Sequence, residues 1–139
     1  MSAILQAVHP VLAAGDVSIS IQFFERLGFT ARFRDAQVDP KYAVVARDGI
    51  ELHIQWADPG QWAEGIDRPA YRILVNDVDA FFEEIVNTGD LNPGSDHHSP
   101  WQRPGNTPWG TREFHMRDPG LNSLQFYRPL ANRPSDDAA

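Results

Sequence analysis

The 139-residue chain contains no cysteine, which removes disulfides, thiol nucleophiles and cysteine-ligated metals from consideration. It also lacks long apolar runs. No stretch approaches the roughly 18 apolar residues of a membrane span, so no membrane partner is expected. The opening Met1-Ser2-Ala3-Ile4 has neither a basic segment nor an apolar stretch, which makes a cytoplasmic location the expectation. Positive charge is scarce: 12 Lys and Arg stand against 19 Asp and Glu, for a net charge of −7. That balance argues against general affinity for nucleic acid, whose phosphates require a basic face, and it suits cationic ligands. No Gly-rich phosphate loop and no nucleophile elbow are present.

What is present is an ordinary globular composition, 42% hydrophobic and 22% charged, over about one domain's length of chain. Its most informative feature is an internal repeat. Asp16-Val17 is followed by Ile21, Phe24 and Gly28, and 61 residues later Asp77-Val78 is followed by Phe82, Ile85 and Gly89. In each copy the aspartate is placed to cap a helix, whose apolar stripe follows at helical spacing. Alternation and turn residues predict strands over 7–14, 29–35, 41–47 and 50–56 in the first copy. Asp48-Gly49 marks a hairpin between the last two. The second copy shows strands over 70–76, 112–117 and 123–128, with its middle strand hidden in a proline-rich loop over 90–108.

The expected fold class is therefore α+β: paired βαβββ modules forming a curved, mostly antiparallel sheet with both helices on its outer face. Residues 1–139 read as one domain, with module one at 7–57, a linker at 58–68, module two at 69–128 and a flexible tail at 129–139. Strand alternation then assigns faces. Leu52, Ile54 and Trp56 share the helix side, so Trp56 is expected in the core. The opposite face carries His9, Glu51, His53, Gln55, Arg72, Glu113, His115, Gln125 and Tyr127. Trp101 and Trp109, in or just after the long loop, add aromatic faces beside carboxylates, a combination suited to flat or cationic ligands. Trp62, beside the inter-module link, is a further aromatic face, and the His97-His98 pair in the loop is expected to be solvated.

This repeat, with His9-Pro10-Val11-Leu12, Phe23-Phe24-Glu25-Arg26-Leu27-Gly28-Phe29, Glu51-Leu52-His53 and Pro108-Trp109-Gly110-Thr111-Arg112-Glu113-Phe114, resembles the glyoxalase/bleomycin-resistance/dioxygenase family, the vicinal oxygen chelate superfamily. The Pro-Trp-Gly-x-Arg-Glu-Phe string looks like the bleomycin-resistance branch, whose members bind cationic antibiotics without destroying them. The resemblance implies paired βαβββ modules, a homodimer with ligand grooves at its interface, and a tryptophan matching Trp109 beside the groove. It associates a proline at the position of Pro10 with exchange of the first strand between subunits.

The resemblance also implies where a metal would sit in the family's enzymes: at His9, His53, Ala70 and Gln125. Ala70 offers no donor, and Gln125 is neutral where a carboxylate is expected, leaving a poor trap for a divalent ion. The favoured expectation is a metal-free binding protein that sequesters a cationic or aromatic small molecule, of bleomycin type, with no cofactor and no catalytic residue. The alternative is a divalent-metal-dependent lyase or dioxygenase using His9 and His53, with Gln125 as the remaining donor.

Overall fold

Asp16 and Asp77 perform the same task 61 residues apart. The Asp16 carboxylate accepts a hydrogen bond from the Ile19 amide at 3.2 Å, and that of Asp77 from the Ala80 amide at 3.0 Å. Each supplies the partner that the first helical turn lacks. Helix α1 (Val17–Arg26) buries Val17, Ile21 and Phe24, and α2 (Val78–Asn87) buries Val78, Phe81 and Ile85. The computed structural model describes residues 2–58, 69–93 and 99–131. The rest of the linker with Trp62, the His97-His98 pair and the tail from 132 lie outside the described residues.

Around α1 run β1 (Val11–Ala14), β2 (Thr30–Arg34), β3 (Tyr42–Arg47) and β4 (Ile50–Trp56). Around α2 run β5 (Ala70–Leu74), β6 (Gly105–Asn106), β7 (Thr111–Arg117) and β8 (Ser123–Pro129). The repeat thus yields two βαβββ units. The curved surface is divided into two four-stranded sheets, ordered β1-β4-β3-β2 and β5-β8-β7-β6. In each, one pair is parallel (β1 with β4, β5 with β8) and the others are antiparallel. The missing middle strand of module two is β6, two residues long and paired with β7.

Phe24, Phe114, Phe126, Leu12, Ile54 and Leu124 lie in a single buried core under the helices. The modules meet where the Tyr71 hydroxyl donates to the Val11 carbonyl (3.2 Å) and the Asn122 amide donates to the Ala13 carbonyl (2.8 Å). Gly120 belongs to this seam, since a Cβ there would run into the Ala13 carbonyl. Arg47 bonds the Leu27 carbonyl and forms a two-pronged pair with Glu84 of α2 (2.6 and 3.1 Å).

Two expectations are corrected. The first strand begins at Val11, not at residue 7, because Pro10 has no N–H to continue the ladder. Its carbonyl still accepts from the His53 amide at 3.0 Å, but residues 2–10 form an arm outside any strand, with Ile4, Leu5 and Val8 exposed. Trp56 is not core. It is the last residue of β4, 39% exposed, with the Lys41 ammonium 4.8 Å from its ring centre. No helix among the described residues is long and apolar enough to cross a membrane.

Candidate functional site

The ladder of β4 with β1 and β3 sets Val11 and Val44 opposite His53. Alternation buries Leu12, Ala43, Val45, Leu52 and Ile54, so Tyr42, Glu51 and His53 share the other face with His9. The four side chains form one network. The imidazoles of His9 and His53 stack with centroids 4.8 Å apart and planes at 14°. Glu51 Oε2 lies 3.0 Å from His9 Nε2 and 2.9 Å from His53 Nε2. The Tyr42 hydroxyl sits 2.6 Å from His53 Nδ1. The hydrogen bond from His53, together with the field of the two imidazoles and Arg32, holds the Glu51 carboxyl below its ordinary value against partial desolvation. One donor atom from each of His9, Glu51 and His53 falls within 4.8 Å of the others, an arrangement able to take a metal ion. A carboxylate, absent at Gln125, is present here as Glu51, two residues before His53 on the same face of β4.

Module two builds a different network from equivalent strands. Arg72 lies opposite Gln125, as Val11 lies opposite His53. Arg72 donates to Gln125 at 2.8 Å and to Glu113 at 3.1 and 3.4 Å, and stacks on the Tyr127 ring at 4.1 Å. Glu113 is fully buried. It also accepts from Thr111 (2.5 Å), His115 Nε2 (2.7 Å) and Trp109 Nε1 (3.4 Å). Burial opposes its ionisation, yet the bonds from Arg72, Thr111 and His115 outweigh it and hold the pKa at about 2. His115 Nδ1 meets Ser99 Oγ at 2.7 Å, and the His115 amide donates to the Trp101 carbonyl at 2.6 Å. These bonds tie the end of the long loop to β7, so that Trp101 and Trp109 meet edge to face at 5.8 Å.

Two cavities meet at Arg72. One, of about 320 Å³, is walled by Trp101, Trp109 and Pro100, with Arg72, Glu113, His115, Ser99, Ser123 and Gln125 as its polar groups. The other, of about 740 Å³, joins the modules: His9 and Glu51 lie on one side, Ala70, Arg72 and Tyr127 on the other. A third, of about 550 Å³, lies between β4, β5 and α2 beside the Arg47–Glu84 pair and holds none of the expected site residues. Ten of the eleven expected binding residues thus fall in two linked networks. Gln55 stands apart, exposed near the end of β4 and paired in register with Tyr42. Tyr42, Ser99 and Thr111 were not foreseen. The alternation of β3 carried a signal for Tyr42, whereas Ser99 reaches His115 only through the path of the loop.

Two βαβββ units packed around an open polar cavity define a class of small α+β proteins. Residues 6–126 match the Glyoxalase/Bleomycin resistance protein/Dioxygenase superfamily, and the chain belongs to that family. Among solved structures, a bleomycin-binding protein complexed with bleomycin superimposes with a TM-score of 0.72 at 21% identity, over 89% of this chain and 98% of the other. The bleomycin-binding protein of bleomycin-producing Streptomyces verticillus, complexed with copper(II)-bleomycin, is 31% identical over 91% of this chain and 97% of its own, with a TM-score of 0.66. A bleomycin resistance determinant encoded on transposon Tn5 gives a TM-score of 0.66 at 21% identity, covering 90% and 98%. No curated protein sequence matches the chain.

Proposed function

We propose that the protein sequesters a small aromatic or cationic compound, of the bleomycin type, in the Arg72 cavities, as a cytoplasmic homodimer and without a metal taking part in capture. The observation that carries this reading is the tryptophan-walled cavity of module two. Trp109 is 56% exposed beside it, so a planar group can stack there without displacing core residues. The 31% identity to a protein that holds copper(II)-bleomycin supports the same ligand class. Glu113 is not a free counter-charge for a cationic ligand, because Arg72 and three further donors occupy it. Its part is to hold Arg72 and the Trp109 indole in place. For a cationic ligand, attraction comes from indole faces and from the chain's net charge of −7. The exposed Ile4, Leu5, Val8 and Leu74 are the apolar surface a second subunit would cover.

Calorimetry and tryptophan fluorescence with bleomycin, in the presence of a chelator, test the reading. Saturable binding is expected, and Trp109→Ala should weaken it about tenfold through the lost stacking. Absence of binding across bleomycin-type drugs would overturn it. A second reading, a metal-dependent lyase or dioxygenase, is favoured by the position of Glu51 beside His9 and His53. Metal-dependent turnover of a hemithioacetal or a catechol, lost in His9→Ala, would establish it.

A further inference from the structure

We infer that the cavity of module two is built to receive a hydrogen-bond acceptor beside its tryptophans, so that the ligand is a planar aromatic compound bearing a carboxamide or a carboxylate. This rests on the tryptophan-walled cavity being the binding site, and adds the polar half of its specificity. An arginine has five N–H donors in a planar fork. In Arg72 three are engaged: the two of Nη1 with Glu113 and Gln125, and one of Nη2 with Glu113. The Nε–H and the outer N–H of Nη2 lie parallel along one edge of the guanidinium, and neither has a partner among the described residues. Such an edge fits a carboxylate or a carbonyl oxygen. The Arg72 side chain is 38% exposed where the two cavities meet. Tyr127 covers a face of the guanidinium, which leaves approach in the plane of the fork.

The acceptors around this edge are spent. Both Glu113 oxygens are filled by Arg72, Thr111, His115 and Trp109, and the residue is fully buried. The Gln125 oxygen faces Arg72, so its amide N–H groups are what remain, again without a partner among the described residues. Ser99 is used in both senses. A carboxylate can only accept, so His115 Nε2 carries the proton toward Glu113 and Nδ1 of the neutral ring accepts from the Ser99 hydroxyl. Ser99 Oγ in turn accepts from the Trp101 amide at 3.0 Å. Ser123 adds one hydroxyl of either sense. An ammonium group placed here meets N–H donors and finds no carboxylate with an open lone pair, whereas a carbonyl oxygen finds charge-assisted donors. Trp109 Nε1 and Arg72 Nη2 meet at the same atom, Glu113 Oε2, at 3.4 and 3.1 Å. A ring stacked on Trp109 therefore brings its substituent within reach of the open edge.

The test is a titration of the full-length chain, in chelator, with three probes that share one ring system: 2-naphthamide, 2-naphthoate and 2-naphthylmethylammonium. Saturation-transfer NMR reads the affinity of each. The amide and the carboxylate should bind about tenfold more tightly than the ammonium. Arg72→Lys, which keeps the charge beside Glu113 but loses the fork, should bring the three probes close to parity. Gln125→Glu, which exchanges the open donors for an acceptor, should lower the preference in the same direction. Trp109→Ala should weaken all three alike, and urea unfolding confirms that each variant is folded. Equal or tighter binding of the ammonium to the parent chain would overturn the acceptor site and leave the tryptophan cavity standing. A preference for the amide that survives both Arg72→Lys and Gln125→Glu would also overturn it. Absence of binding by all three would overturn the tryptophan cavity itself and this inference with it.

Discussion

A carboxylate taken out of water is costly unless donors surround it. Glu113 meets that condition, with Arg72, Thr111, His115 and Trp109 all directed at its two oxygens. Its pKa of about 2 lies below the ordinary 4.5. A depressed carboxylate pKa contributes stability that is complete above the unfolded value and is lost as pH falls through the folded one. The window is therefore pH 4.5 down to about 2, and the contribution is on the order of 3 kcal/mol. Glu113→Gln should lower stability to urea at neutral pH by roughly 2–3 kcal/mol. The gap from the parent protein should narrow markedly at pH 3. A gap that stays constant with pH would show that the charge contributes nothing. The histidines next to carboxylates differ in kind: His115 is buried and bonded at both ring nitrogens, whereas His9 is more than a third exposed and lies on the arm outside any strand.

At the scale of elements, capping and periodicity were legible, and short pairings were not. Asp16 and Asp77 cap as their spacing foretold, so Asp16→Ala and Asp77→Ala should each cost about 1 kcal/mol in thermal or urea unfolding. Asp48 and Gly49 adopt φ of 56° and 102°, the left-handed pair that a tight hairpin demands. Gly28 closes α1 at φ 86°, but α2 ends differently, with Asp90 rather than Gly89 in the left-handed region. The helix stripes and strand alternation were readable because burial of one face repeats every turn or every second residue. β6 was hidden because two residues are too few to show a period.

For the whole molecule, the exposed apolar arm carries the dimer proposal. Light scattering of the full chain should give twice the monomer mass, and removal of residues 2–8 should shift it toward monomer. A full-length monomer at high concentration would count against the shared groove. Alternation foretold which side chains share a face: eight of the nine residues it assigned to the polar face lie in the two networks, and Trp101 and Trp109 join them from the loop. Their relations were not legible. Sequence symmetry set His9 against Ala70 and His53 against Gln125, which made the metal site look incomplete. Folding brings Glu51 to both histidines and turns Gln125 toward Arg72, contacts that the symmetry does not record.

The sequence by itself determined the repeat, the helix caps, the two βαβββ units and which face of each strand is polar, because these follow from local backbone preference and side-chain period. Tertiary structure alone decided which polar groups meet. Glu113 and Arg72 are 41 residues apart, and Ser99 finds His115 across 16 residues at the end of a long loop. Such partnerships depend on register and loop path, and no local pattern records them. The same holds for Glu51, whose role as the carboxylate between two imidazoles arises only when the arm carrying His9 lies across β4.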